Sequence, residues 1–356
     1  MCGPLALGGK RDSLVGMKAN PVPATCSDCA SPRLRALQDS PIDRRAFLRA
    51  SAAAALAAGV APWARAEEKP SSETLVAQLY KSLSEEQRKA VCFGFDDRKR
   101  TRVDNNWQIV PQTVGGFFDK DQQALITDIF TGLHSPEYAK KVLAQVAHDS
   151  GKAGFGASSV ALFGEPGSGK FEFVLTGRHC TRRCDGDSVA GAAFGGPIFY
   201  GHAAKGFNEK ADHEGNAYWY QAKRANGVFQ MLDGKQRERA LLETGRDEEG
   251  DATVKLTGKK SGLDGIRVGD LSKDQQAEVQ AVLRDLLAPF RQQDADEAMR
   301  LIKASGTEHL HMAFYKSDDI GNDGVWDVWQ VEGPDMVWYF RGAPHVHVWA
   351  NIRAAA

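Results

Sequence analysis

Near the C-terminal end of the chain, His345-Val346-His347 runs into Val348-Trp349 within a strand-like stretch. In a strand, side chains two apart point the same way, about 7 Å from each other. Two neutral imidazoles so placed can share one metal ion. His179 stands after Gly177-Arg178, at the exit of a strand-like run in the first half of the chain. Brought together, His179, His345 and His347 would give three nitrogen ligands and leave open positions, as in catalytic rather than closed structural sites. The plainer account is that these histidines hydrogen-bond within the fold or sit exposed, since one H-x-H without a spaced third ligand is a weak pattern. His309-Leu310-His311 is a competing H-x-H that opens a strand, so one of its rings is expected to face solvent; it would otherwise add to the same site. His134, His148, His202 and His213 have no partner pattern and read as surface or capping residues.

Asp96-Asp97, with Arg98, Arg100 and Arg102, precedes Asn106-Trp107. Paired carboxylates can ligate a metal or act as general base, and a solvated, salt-bridged connection is the simpler alternative. Around a divalent metal, with Zn, Fe or Cu as the candidates, Asp96, Asp97 or Glu332 would serve as base, and Arg178 or Arg341 would hold an anionic substrate. Trp326, Trp329, Trp338, Tyr339 and Trp349 concentrate aromatic area near the C-terminus. Alternate ones must pack in the core, and the others would line a ligand pocket. The segment 164–170 has the G-x-x-x-x-G-K shape of a phosphate-binding loop. It lacks the following Ser or Thr for Mg²⁺ and leads into an alternating run at 171–175, so it reads as a hairpin turn. The chain has no H-E-x-x-H, no G-x-S-x-G elbow and no Rossmann glycine pattern in a strand–helix context. That disfavours zincin proteases, α/β-hydrolases and nicotinamide enzymes.

The elements that must position these residues occur in two related sets. Leu83-Ser84-Glu85-Glu86-Gln87-Arg88 resembles Leu232-Asp233-Gly234-Lys235-Gln236-Arg237, and Lys120-Asp121-Gln122-Gln123-Ala124 recurs unchanged from Lys273 to Ala277. A capping residue stands three before a Gln at all four places: Ser84/Gln87, Asp119/Gln122, Asp233/Gln236 and Ser272/Gln275. Each is a capping box, in which the two side chains satisfy each other's backbone N–H at a helix start. Apolar residues at helical spacing follow: Leu125, Ile126, Ile129, Phe130 and Leu133 in one set, Val279, Val282, Leu283, Leu286 and Leu287 in the other. Further helices are expected at 138–146 and 297–302. Period-two runs at 160–163, 171–175, 311–315, 326–331 and 336–340 read as strands. The Gly-rich region 186–216 has no clear period and reads as a long ordered loop. The predicted fold is α+β, each half being helices followed by antiparallel hairpin strands. The repeat halves span about 72–200 and 225–353 of a single duplicated domain, 67–356.

Residues 1–66 read as a leader. Arg44-Arg45-Ala46-Phe47-Leu48 precedes an uncharged alanine-rich run, and Ala64-Arg65-Ala66 offers the small residues that a signal peptidase reads. That order is a twin-arginine secretory signal, and it predicts a periplasmic or secreted protein whose first partner is the twin-arginine export machinery. The alternative, a membrane anchor, needs about 20 apolar residues and the run is far shorter. The leader holds 9 basic and 4 acidic residues of the chain's 45 and 46, so 290 residues with 36 basic and 42 acidic would remain. No long basic run exists, which disfavours nucleic acid and anionic membranes as partners. No later stretch is apolar enough to cross a membrane. Cys26-x-x-Cys29 falls in the leader, leaving Cys92, Cys180 and Cys184, an odd number that argues against a disulfide scaffold. Cys92 reads as a packed thiol; Cys180 and Cys184 could pair only across a turn, because an extended chain would hold them about 13 Å apart.

One order of short motifs resembles a family known as domain of unknown function 3500. It runs Leu83-Ser-x-Glu86-Gln-Arg88, Phe95-Asp-Asp97, Asn106-Trp107, Val110-Pro111, Phe163-Gly-Glu-Pro166, Gly177-Arg-His179, Glu332-Gly-Pro334 and His345-Val-His347-Val-Trp349. The resemblance covers about 75–352. The family often has Gly-His-His where this chain has Gly177-Arg178-His179, so the second histidine is kept and the first is an arginine. Its C-terminal His-x-His matches His345 and His347. The resemblance implies no reaction. The expectation from the residues is one divalent metal and a small-molecule substrate, with metal-dependent hydrolysis as the first reading. The alternatives are an oxygen-using Fe or Cu oxidoreductase, a non-catalytic periplasmic small-molecule-binding protein with an aromatic pocket, and an envelope-associated structural protein.

Overall fold

The computed structural model describes residues 69–202, 216–317, 319 and 324–354. The chain folds as α+β. The leader, with the twin-arginine motif, and His213 lie outside the described residues.

All four predicted capping boxes form, each with both reciprocal hydrogen bonds. They start helices α2 (Glu85–Val91), α4 (Lys120–Gly132), α7 (Gly234–Ala240) and α8 (Lys273–Leu287). Their glutamines do a second job. Gln87 and Gln122 exchange amide hydrogen bonds of 2.8 and 3.0 Å, and Gln236 and Gln275 exchange bonds of 3.2 and 2.8 Å. The first pair ties Gln122 to the Ser82 carbonyl at the end of α1 (Ser72–Ser82). The second ties Gln275 to the Met231 carbonyl at the end of α6 (Tyr220–Met231). The same hydrogen-bond pattern thus recurs at positions 149 to 153 residues apart. Helix α4 buries Ile126, Ile129 and Phe130 against Val76 and Leu79 of α1, the i, i+3, i+4 stripe that its sequence prescribes.

Among the described residues the strands form one eleven-stranded mixed sheet. Its strands are β1 (Cys92–Phe93), β2 (Ser159–Gly164), β3 (Phe171–Gly177), β4 (Cys180–Cys184), β5 (Ile198–His202), β6 (Leu241–Leu242), β7 (Ile266–Arg267), β8 (His311–Tyr315), β9 (Val328–Glu332), β10 (Met336–Arg341) and β11 (Val346–Ile352). The order is β1-β2-β3-β4-β5-β11-β10-β9-β8-β6, with β7 on β8. Reading outward from the central β5–β11 pair, each side has three antiparallel junctions and then a two-residue strand added in parallel. The strands are buried nearly throughout, because both faces are covered. One face packs on the helices through residues such as Tyr200, Trp338 and Val348, and the other holds Phe199, Val337, Tyr339 and Trp349.

Two sequence expectations need correcting. The Gly-rich region is not all loop, since it contributes β5, whose Ile198-Phe199-Tyr200 core pairs with β11. As expected of an extended chain, Cys180 and Cys184 at the two ends of β4 do not pair, and both are free, as is Cys92. His134 and His202 are buried, not surface residues. The segment from 164 to 171 is the tight turn of the β2–β3 hairpin, where Gly164 pairs with Phe171.

Candidate metal centre

The β3–β4 hairpin closes through Arg178 and His179, because Gly177 and Cys180 are paired. His179 has φ 55°, a left-handed conformation that a two-residue turn ordinarily gives to Gly or Asn. Its N–H donates to the Asn105 carbonyl at 2.8 Å, which fixes the turn against the preceding loop. His347 lies in β11 between Arg341 of β10 and Gly201 of β5, and His345 stands just before that strand. Gly201 is what lets β5 and β11 close up beside the rings. A Cβ there would lie 2.2 Å from the Val346 carbonyl oxygen and 3.5 Å from the His179 Cβ.

The structure brings the three histidines picked from the sequence to one point. Ring centroids are 4.9 Å apart for 179–345, 5.0 Å for 179–347 and 4.7 Å for 345–347. One ligating atom from each lies within 4.8 Å of the others. The Nε2 atoms of His345 and His347 are 3.0 Å apart. Nitrogens at ~2.05 Å from a tetrahedral ion are separated by about 3.3 Å, so little movement is needed to seat one.

Two of the rings are held from behind by carboxylates. His179 Nδ1 is 2.9 Å from Asp149 Oδ2, and His347 Nδ1 is 2.5 Å from Glu248 Oε2. A proton on His179 Nδ1, donated to Asp149, leaves its Nε2 as the lone-pair atom facing the centre, while His347 Nδ1 lies 2.5 Å from both Glu248 Oε2 and Arg341 Nη2. This carboxylate–histidine pairing is the usual support of a metal-ligating imidazole. Burial, with the neighbouring His347, His179 and Arg341, lowers the pKa of His345 to about 3. Burial also lowers His347 to about 4, Arg341 working in the same direction and Glu248 against it. Burial alone would raise the Glu248 pKa, but His347 and Arg341 beside it bring it below the ordinary value. His345 and His347 are therefore neutral near pH 7, the form that binds metal.

The other residues singled out in the sequence are placed as follows. Arg341 is at the centre: its Nε is 2.6 Å from Glu248 Oε1 and its Nη2 2.5 Å from His347 Nδ1. Arg178 is exposed and lines a cleft of about 770 Å³ with Asn106, Trp107, Gln108, His148 and Asp149. Asp97 caps the 3-10 turn Arg98–Thr101, accepting from the Lys99 N–H at 2.9 Å, and Asp96 is exposed. Neither has a hydrogen bond or ion pair to the three histidines. Glu332 pairs with Arg246 at 2.5 Å. It faces Val337 across the strand pair while Arg341 faces Val328, which puts it about 13 Å along the sheet from the centre. Burial raises its pKa even so. His311 is buried at the other side of the sheet, opposite Glu332.

Asp149 and Glu248 were not found from the sequence. Glu248 sits in the charged loop segment Arg246-Asp247-Glu248-Glu249, where no period or spacing marks one acid above its neighbours. Asp149 left a faint signal. It ends helix α5 (Ala139–Asp149), where the helix dipole disfavours an anion, and it is fully buried there.

No curated protein and no solved structure matches the chain. The profile of the family described as "Protein of unknown function (DUF3500)" matches residues 67–353, nearly all of the chain beyond the leader, and the chain therefore belongs to that family.

Proposed function

We propose that the protein is an exported metalloprotein in which His179, His345 and His347 bind one divalent cation through Nε2, and that this centre carries out a hydrolytic reaction. The observation that carries the reading is the convergence of three imidazoles, two backed by carboxylates, with no carboxylate or thiolate among the described residues closing the set. Three ligands and an open position suit a centre that lowers the pKa of a bound water. Asp149 and Glu248 fix the two ring orientations. Arg341 neutralises Glu248 and keeps His347 uncharged, and Arg178 offers the cleft an exposed guanidinium that an anionic substrate can meet.

A panel of esters, phosphate esters and amides, assayed with the metal-loaded and the chelator-stripped protein, tests this. The reading expects one substrate class to be turned over only with metal, and His345→Ala to abolish turnover. A fully loaded protein inert to all three classes would remove the hydrolytic part and leave an oxygen-using metal site or a binding protein.

A further inference from the structure

We infer that the chain has a second divalent-cation site, built from His148, Asp149 and His202 beside the first. His148 and Asp149 end helix α5, and His202 ends strand β5. One ligating atom of each lies within 4.8 Å of the others. Asp149 Oδ1 is 3.2 Å from His148 Nδ1 and 3.8 Å from His202 Nδ1, and the two rings stack with centroids 5.7 Å apart. Asp149 and His202 are buried, while the His148 side chain is 35 % exposed and lines the cleft that also holds Arg178. The site thus has buried anchors and an open side.

Asp149 joins the two sites. Its Oδ2 accepts from His179 and its Oδ1 faces the second pair of imidazoles. A cation there would also sit at the C-terminal end of α5, where the helix dipole favours positive charge. Two imidazoles and a carboxylate form a harder donor set than three imidazoles, one that suits Zn²⁺, Fe²⁺ or Mn²⁺ with positions left for water. Gln145 Nε2 lies 3.2 Å from Asp149 Oδ1 and also contacts His202 Nδ1. Rotating that amide turns its oxygen toward the ion and removes the competing donor.

Equilibrium dialysis of the stripped full-length protein against Zn²⁺, with Co²⁺ absorption as the spectroscopic check, tests the site. The expected result is two equivalents in the wild type and one in His148→Ala and His202→Ala. His148 is partly exposed, so its variant keeps the test decisive if His202→Ala does not fold. A wild type that saturates at one equivalent retained by His148→Ala, or a His148→Ala protein that still takes two, overturns the second site. One equivalent lost in His148→Ala and kept in His347→Ala would support this site and contradict the first.

Discussion

His179 has a backbone conformation that costs a non-glycine residue about 1–2 kcal/mol, in a turn where glycine would cost nothing. Residues held in this way cluster at functional sites, and its ring is one of the three at the centre. The histidines were legible because H-x-H at a strand's start keeps two rings close together, although His345 itself precedes β11. Their carboxylate partners were not, because a single acid supplied from a loop or a helix end has no repeat to reveal it. Glu248→Gln should weaken metal binding by about 10–100-fold while the protein stays folded; unchanged affinity in a competitive chelator titration would show that the carboxylate does not support the ring. A different histidine sets a pH dependence. His134 donates from Nδ1 to the Phe130 carbonyl at 2.8 Å and accepts at Nε2 from Arg182 Nε at 3.2 Å. Burial, with Arg182 beside it, lowers its pKa to about 3. The unfolded chain binds this proton below pH ~6.5 and the folded one does not until about pH 3, so stability is complete above 6.5 and falls as pH drops through that window. Denaturant unfolding should show a slope of up to ~1.4 kcal/mol per pH unit from this group, and His134→Gln should flatten it. An unaltered slope would assign the acid sensitivity elsewhere.

Among the elements, helix starts were the most readable. Four short Ser/Asp-x-x-Gln patterns formed four capping boxes, since a cap is a local event complete within four residues. Strands β4 and β5 were not readable. β4 is Cys-Thr-Arg-Arg-Cys, whose arginines are buried: Arg183 pairs with Glu172 at 2.7 Å and Arg182 donates to the Phe199 carbonyl at 2.6 Å. Buried polar partners of that kind erase the alternation that marks a half-exposed strand. β5 is five residues long in a Gly-rich region, and its Gly201 is needed for the close approach to the Val346 carbonyl of β11. Gly201→Ala should therefore push β5 from β11 beside His347. We expect a loss of about 1–3 kcal/mol in stability together with weaker metal binding, read by thermal unfolding with and without Zn²⁺. A variant with wild-type affinity would mean that the close approach is not needed.

At the scale of the whole molecule, the sheet reads alike on both sides of the β5–β11 pair, yet the histidine centre is drawn unequally from them. The β3–β4 turn supplies His179, and β11 with the residue just before it supplies the other two. Such a centre assembles only when the two sides of the sheet have met. Replacing Arg44 and Arg45 together by lysine should keep the protein in the cytoplasm of its host, as cell fractionation would show; continued appearance outside would contradict the twin-arginine reading. The most direct measurement is the metal content of the purified protein beside that of His347→Ala. The account predicts stoichiometric divalent metal in the wild type and one equivalent fewer in the variant. A metal-free wild type, or a variant that holds as much metal as the wild type, would contradict it.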